Sequence, residues 1–186
     1  MKKIILLNII IFIFSLISAS AYASGEKAKI TNFIINKNKN TISLSFSTEN
    51  AFSPEISDLI QSGIPVSFSF DIQIEKIRDY LPDKTIYEKE IIHKIKYSNL
   101  TKNFFIIKPY ISEESYIINS KKRAQSEMSS ITDFKIDLPH NLKGKFTIYA
   151  RARLQEITLP FYMHKVFFFL SAWDFKTDWI EQEIEL

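Results

Sequence analysis

The chain has 186 residues, of which 46% are hydrophobic, and it contains no cysteine. Its formal charge of +3 comes from 24 basic and 21 acidic residues, and such a near-neutral balance provides no field that would gather nucleic acid. Because disulfide bonds are excluded, the stability of the fold must come from the burial of apolar side chains.

The N-terminus is typical of a secretory signal peptide. An apolar stretch over residues 4–17 follows Lys2 and Lys3, and Ala21 and Ala23 form a small-residue cleavage site. As a helix this stretch would rise only about 20 Å, which is shorter than the roughly 30 Å hydrocarbon core of a membrane. We therefore expect cleavage after Ala23, with a retained membrane anchor as the alternative.

Removal of residues 1–23 would leave one globular domain, residues 24–186, because no repeat, low-complexity segment or flexible linker interrupts them. This part has 22 basic and 21 acidic residues, since Lys2 and Lys3 leave with the signal. Eukaryotic secreted modules are often stapled by disulfides, so an exported chain without cysteine predicts the periplasm or cell envelope of a bacterium. Peripheral contact with a membrane and the oligomeric state are left open.

Alternation of apolar and polar residues with period two predicts half-buried antiparallel strands. The predicted strands, in chain order, are 29–36, 42–47, 66–75, 86–97, 103–110, 144–155, 166–172 and 178–185. The link "NKNKN" between the first two predicts a hairpin turn, because asparagine tolerates positive φ.

Two short helices are predicted between the strands. Ser53 can cap the first helix, Pro54 fits its first turn, and Gly63 can close its C-terminus. A second helix is predicted over 120–131, with Ala124, Met128 and Ile131 facing inward. The chain is therefore expected to be mainly β, of α+β type: an antiparallel β-sandwich or curved sheet of about seven to eight strands with one or two short covering helices.

No pattern that catalysis requires is visible in the sequence. Only three glycines are present, so neither a glycine-rich phosphate loop nor a nucleophile elbow is formed. His93, His140 and His164 lie far apart and lack the spacing of metal ligands. We predict no enzyme activity, cofactor or metal site, although two carboxylates could still meet in a cleft.

Arg151 and Arg153 share one face of a predicted strand with Tyr149, where they could bind an anion or a partner protein. The alternative, which we favour, is that they form cross-strand ion pairs with the last strand. The partner carboxylates on that strand would be Glu181, Glu183 and Glu185.

Residues 159–175, "LPFYMHKVFFFLSAWDF", form an aromatic run that is too short and too polar to span a membrane. Three interpretations stay open: a buried strand, a surface that binds another envelope protein, or the wall of a cavity for an apolar ligand. The second would leave some rings exposed, among them Phe161, Tyr162, Phe168 or Trp173.

Five stretches together resemble the pattern of a bacterial exported family, the domain of unknown function 4390. They are, in this order, "SGIPVSFSFDIQIEK", "KYSNLTKNFFI", "YARARL", "LPFYMHKVFFF" and "SAWDFKTDW". The resemblance implies an exported bacterial protein and an order of elements, with no assigned activity, catalytic residue or cofactor. Members of the family often have Asp where Ser98 stands, and we interpret this position as turn-forming, a role that Ser98 or Asn99 can fill.

Export and the missing catalytic patterns favour a non-catalytic binding or scaffold module for a partner protein of the envelope. The candidate partner-binding residues are Arg151, Arg153, Trp173 and Trp179. The alternatives are a carrier of a lipid or other apolar ligand, and an unspecific hydrolase.

Overall fold

The computed structural model describes residues 27–139, 142–155 and 175–186. Within them the fold is mainly β, as predicted, with nine strands in two antiparallel sheets and two short helices. The strands are β1 (Lys29–Asn38), β2 (Thr41–Glu49), β3 (Val66–Lys76), β4 (Lys84–Ser98), β5 (Asn103–Lys108), β6 (Ser112–Ile118), β7 (Ser130–Asp137), β8 (Lys145–Leu154) and β9 (Ile180–Glu185). The helices are α1 (Pro54–Gln61) and α2 (Lys121–Met128).

The small sheet has the strand order β1-β2-β7. β1 and β2 form the predicted hairpin, and its left-handed residue is Lys39, at φ 51°, rather than an asparagine. Both strand pairs contain a register shift, between Thr31 and Ile34 and between Leu44 and Phe46. Such bulges bend a strand and disturb the strict alternation of its side chains.

The large sheet has the order β6-β5-β4-β3-β8-β9. β3 lies at its centre, where it pairs with β4 along its whole length and with β8 from Phe68 to Lys76. The inward residues of β3 are Val66, Phe68, Phe70, Ile72 and Ile74, and all are fully buried. The polar residues between them therefore point to the opposite side, which we call the outer face.

The two sheets share one hydrophobic core. Phe46 of the small sheet meets Phe70 of the large sheet with ring centroids 5.8 Å apart in an edge-on arrangement. Phe70, Phe68 and Phe146 are among the largest fully buried side chains. Aromatic rings each bury a large area, and isoleucine is the most frequent of the other buried apolar residues.

Helix α1 begins and ends as the sequence predicts. Ser53 accepts a hydrogen bond from the Ile56 amide at 3.3 Å, and Pro54 occupies the first turn. At the other end Gly63, at φ +84°, donates to the Ile60 carbonyl, and Ile64 donates to Leu59. This pair of bonds is the Schellman motif, which favours glycine because its φ is positive.

Helix α2 is shorter than predicted, because the chain changes from helix to strand after Met128. Ala124 and Met128 are buried as expected, but Ile131 is buried as part of β7. β7 was not predicted, because its bulge and Asp133, at φ 49°, interrupt the alternation of apolar and polar residues. β6 was also not predicted, because it is an exposed edge strand with few apolar residues.

Three predictions concern segments outside the described residues: the signal peptide, the strand at 166–172 and most of the aromatic run. Phe175, the last residue of that run, is described, and its ring lies 4.9 Å from that of Phe68. In the part of the chain that the structure describes, neither helix is long and apolar enough to cross a membrane.

Candidate functional site

The outer face of the large sheet brings together charged side chains from three neighbouring strands. Asp71 of β3 lies directly opposite Arg151 of β8 on one side and opposite Glu90 of β4 on the other. Arg153 follows on the same face of β8, opposite Ser69. This register results from strand alternation, which places every second residue of each strand on one face.

These side chains form a continuous hydrogen-bonded network, which we call the arginine ladder (Asp71, Glu90, Arg151 and Arg153). Asp71 Oδ2 accepts from Arg151 Nη2 at 2.6 Å and from Arg153 Nε at 3.1 Å. Arg153 Nη2 also donates to Glu90 Oε1 at 2.5 Å, and Ser69 donates to the same oxygen at 2.6 Å. The ladder contains two positive and two negative groups, so it has no excess charge with which to attract an anion.

The position of Asp71 between two guanidinium groups determines its charge state. Its side chain is 17% exposed, and this burial alone would raise the pKa of its carboxyl. Hydrogen bonds from Arg153 and Arg151, together with their positive charges, outweigh burial and lower the pKa of Asp71 below its ordinary value of 3.8. Asp71 is therefore ionised at neutral pH and holds both arginines.

Replacement of Asp71 by asparagine is expected to lower the free energy of unfolding by about 1–2 kcal/mol, because two partly buried arginines lose their shared carboxylate. Since the pKa of Asp71 is lowered by folding, its stabilising effect is complete above pH 3.8 and declines as the pH falls below that value. Urea unfolding of wild type and Asp71→Asn from pH 7 to pH 3 measures the difference. A Glu90→Gln control removes a carboxylate partner of Arg153 that is more exposed than Asp71, so it should lower the free energy of unfolding by less. Equal losses of stability in the two variants would contradict the central role of Asp71.

An exposed tryptophan stands beside the ladder. The indole of Trp179 lies over the Arg151 guanidinium, with 4.3 Å between the guanidinium carbon and the ring centroid. Tyr149 meets the indole edge-on at 6.3 Å. Trp179 nevertheless remains 42% exposed. We call Trp179 and Tyr149 the aromatic patch.

Carboxylates surround the aromatic patch. Glu181 lies opposite Tyr149 in the register of β8 and β9, and Glu183 follows on the same face. Partial burial raises the pKa of the Tyr149 hydroxyl, and the charges of Glu181, Glu75 and Asp83 raise it further against an opposing hydrogen bond with Thr147. The electrostatic surroundings of the patch are therefore acidic.

The structure brings three of the four candidate residues together. Arg151, Arg153 and Trp179 contact one another or share partners, whereas Trp173 lies outside the described residues. Cross-strand ion pairing of the arginines is confirmed, but the prediction that β9 supplies the carboxylates is wrong. The register of β9 places its glutamates opposite other residues, so Asp71 and Glu90 pair with the arginines instead.

A second feature of the outer face is a cleft near the turn between β4 and β5. Its volume is about 670 Å³. The residues that define this apolar cleft include Pro65, Lys94, Lys96, Leu100, Phe105 and Ile107. The register places Lys94 next to Ile107 and Lys96 next to Phe105, so a row of lysines runs beside a row of apolar side chains.

On the opposite side of β4 and β5, a buried polar cluster (His93, Lys108, Tyr116 and Glu127) lies beneath α2. Lys108 is only 2% exposed, and its ammonium lies 2.7 Å from Glu127 Oε2. Tyr116 donates to the same carboxylate oxygen at 3.3 Å. His93 is fully buried, with Nδ1 3.0 Å from the Met128 carbonyl oxygen. Burial, and then the Glu127 charge, raises the pKa of Tyr116, so this residue is a neutral hydrogen-bond donor.

The cluster contains the residue types of an acid–base site, but its polar groups are directed at one another beneath α2. Among the described residues, no three His, Cys, Asp or Glu side chains lie close enough together to hold a metal ion. The outer face, with its aromatic patch and apolar cleft, is therefore the surface on which we place the candidate functional site.

Comparison with known proteins identifies the family. Residues 25–183 match the family model described as "Domain of unknown function (DUF4390)". The chain belongs to the DUF4390 family. No curated protein and no solved structure matches the chain.

In this DUF4390 domain, four of the stretches that carry the family resemblance meet the outer face. "KYSNLTKNFFI" lines the apolar cleft. "SGIP" closes α1 and leads into β3 beside the apolar cleft, "RAR" supplies both arginines of the ladder, and Trp179 lies over Arg151. Ser98 accepts a hydrogen bond from the Thr101 amide at 3.2 Å. The turn-forming interpretation of this position is thus confirmed.

Proposed function

We propose that this DUF4390 domain is a non-catalytic module of the bacterial cell envelope that binds a partner protein through the aromatic patch. The partner would present an apolar contact for Trp179, surrounded by lysine or arginine side chains. The observation that carries the proposal is the Trp179 indole, which is held on a sheet face between Arg151 and Tyr149 and yet left 42% exposed.

The contacts of Trp179 support this proposal because they limit its motion before any partner binds. Stacking on a guanidinium and an edge-on contact with a second ring both restrict the indole. Arg151 is itself fixed by Asp71. A side chain that is already ordered loses little conformational entropy on binding, and tryptophan, tyrosine and arginine are the types that dominate binding energy at interfaces.

The charges around the patch support a basic partner. Glu181 and Glu183 are exposed, and no lysine or arginine of the described chain lies within ion-pair distance of either. The ladder adds no net charge, because its arginines are already paired. Uncompensated carboxylates beside an apolar contact complement a positively charged surface and would accelerate its association.

Site-specific photo-crosslinking in cells tests the proposal first. A photoreactive residue at position 179 should give one dominant crosslinked protein, whereas the same residue at position 34 should not. Ile34 is a suitable control because it is an exposed apolar residue on the small sheet, 51% accessible. Equal crosslinking at both positions would contradict a specific surface.

The crosslinked protein must then be purified and its affinity measured. We expect Trp179→Ala to weaken binding about 30-fold, corresponding to about 2 kcal/mol for a central aromatic contact, and Ile34→Ala to leave it unchanged. Glu181→Gln with Glu183→Gln should reduce the association rate and its dependence on salt. An affinity that is insensitive to Trp179→Ala would remove this patch as the binding surface.

A further inference from the structure

The apolar cleft has a size and composition that differ from the aromatic patch on the same sheet face. Its volume of about 670 Å³ falls within the range of about 300–1,000 Å³ that is typical of small-molecule sites. Phe105 and Ile107 project from β5 into it as neighbours of Lys96 and Lys94. Leu100, which is 96% exposed in the turn after β4, also lines it.

The cleft has an excess of positive charge along one side. Lys94 and Lys96 are exposed, and no carboxylate of the described residues lies within ion-pair distance of either ammonium. Among the described residues, no other Lys, Arg, Asp or Glu lines the cleft, whose remaining polar residues include Ser98, Asn99 and Ser115. A ligand that fills the cleft should therefore combine an apolar body with an anionic end.

The backbone around the cleft argues against an extended peptide as the occupant. β4 is hydrogen-bonded to β3 and β5, and β5 is hydrogen-bonded to β4 and β6. The floor of the cleft thus presents side chains, while its backbone groups are already paired. A peptide would bring amide groups into an apolar site without partners, which is costly, whereas an alkyl chain brings none.

We propose that the apolar cleft binds a single-chain anionic amphiphile, with its alkyl chain against Phe105 and Ile107 and its anionic group at Lys94 and Lys96. The ligand is a free molecule rather than a membrane surface. Clusters that recognise anionic membranes usually have about four to eight basic residues, and this cleft has two. Gly63 forms part of the lining, where a side chain would occupy space next to the Tyr97 carbonyl oxygen.

Titration with dansyl-undecanoate, a fluorescent alkyl carboxylate, tests the proposal below the micellar concentration of the probe. We expect saturable binding with one site per chain. The Lys94→Gln/Lys96→Gln variant should bind the carboxylate about five- to tenfold more weakly, as the loss of two rim charges predicts. The affinity of the same variant for undecanol, measured by competition with the probe, should fall less than about twofold because the alcohol has no charge.

A second variant separates the apolar contact from the charge. Ile107→Asn should weaken the binding of carboxylate and alcohol alike, since it places an amide on the apolar floor of the cleft. The matched control is Lys84→Gln/Lys89→Gln, which removes two exposed lysines from the distant part of the same strand and should bind like wild type. All these side chains lie at the surface or on the outer face, and circular dichroism would confirm that each variant is folded.

Several results would overturn the proposal. The first is probe binding that does not saturate. The second is an equal loss of affinity for carboxylate and alcohol in Lys94→Gln/Lys96→Gln. The third is a loss of carboxylate affinity in the distant lysine control that equals the loss in Lys94→Gln/Lys96→Gln. Binding to anionic vesicles without binding to the monomeric probe would show a membrane surface as the ligand instead. A basic or apolar peptide that binds while the probe does not would show a peptide site.

Discussion

Glu127→Ala is expected to lower the free energy of unfolding by about 3 kcal/mol, because it leaves the Lys108 ammonium buried without a counter-charge. Lys108 is 2% exposed, and its described ion pair is with Glu127, at 2.7 Å. The hydrogen bond from Lys108 lowers the pKa of Glu127, against the effect of its partial burial, so Glu127 is ionised at neutral pH.

Substitution of the other partner of the ion pair, Lys108→Met, should change the free energy of unfolding by less than about 1 kcal/mol. Methionine fills a similar volume without a charge, and replacing a buried ion pair by apolar groups is often neutral. Glu127 is 35% exposed and keeps its hydrogen bond from Tyr116, so it tolerates the loss of Lys108. The two partners of one ion pair are therefore expected to differ in their effects.

A double-mutant cycle measures this difference. Urea unfolding of wild type, Glu127→Ala, Lys108→Met and the double variant gives the coupling energy between the two sites. The double variant should recover most of the stability that Glu127→Ala loses, since no buried ammonium remains. If both single variants cost the same, the loss would reflect packing, and the unpaired charge would not be its cause.

The strands in which apolar and polar side chains alternate regularly could be predicted from the sequence. β3 and β8 were predicted because every second residue is apolar and no bulge interrupts the pattern where these two strands pair. Helix α1 was predicted because Ser53, Pro54 and Gly63 act locally, within a few residues of the ends they form. Local chemistry of this kind can be read without knowledge of the tertiary fold.

The partners of the arginines could not be read from the sequence in the same way. Which carboxylate meets Arg151 depends on strand order, and order is a property of the whole sheet. The sequence places Asp71 at the centre of the polar face of β3, but it does not show that β3 rather than β9 supplies the ion pair. A charged residue in the middle of a long, central strand was the available signal, since such a position usually requires a partner.

The buried polar cluster was missed for a related reason. Lys108 ends β5, "NFFIIK", in which burial alternates along the strand and Lys108 faces inward, but the four consecutive apolar residues before it hide this alternation in the sequence. Lysine is rarely buried without a partner. Its partner Glu127 lies on α2, and only the packing of that helix on β5 brings the two together. A charged residue at an inward position therefore indicates a buried ion pair, although its partner cannot be named from the sequence.

His93 should make the stability of the domain depend on pH between about 6.5 and 4. The ring is fully buried and lies 4.8 Å from Phe70 and 5.6 Å from Tyr110, centroid to centroid. Its Nδ1 donates to the Met128 carbonyl oxygen, while Nε2 has no hydrogen-bond partner among the described residues. Burial lowers the pKa of His93 from 6.5 to about 4, and the Lys108 charge acts in the same direction, against opposing effects of Met128 and Glu127.

The direction of the pH effect follows from which state binds the proton. Between the unfolded pKa of 6.5 and the folded pKa of about 4, the unfolded chain is protonated at His93 and the folded chain is not. Stability that is present above pH 6.5 is therefore lost as the pH falls, by up to about 3 kcal/mol near pH 4.

His93→Phe keeps a ring between Phe70 and Tyr110 but removes the titrating group. Its free energy of unfolding, measured in urea from pH 7.5 to pH 4, should fall less steeply than that of wild type by about 1.2 kcal/mol per pH unit near pH 5. Parallel curves for the two proteins would mean that His93 titrates alike in both states, and that its ring is accessible to a proton in the folded domain.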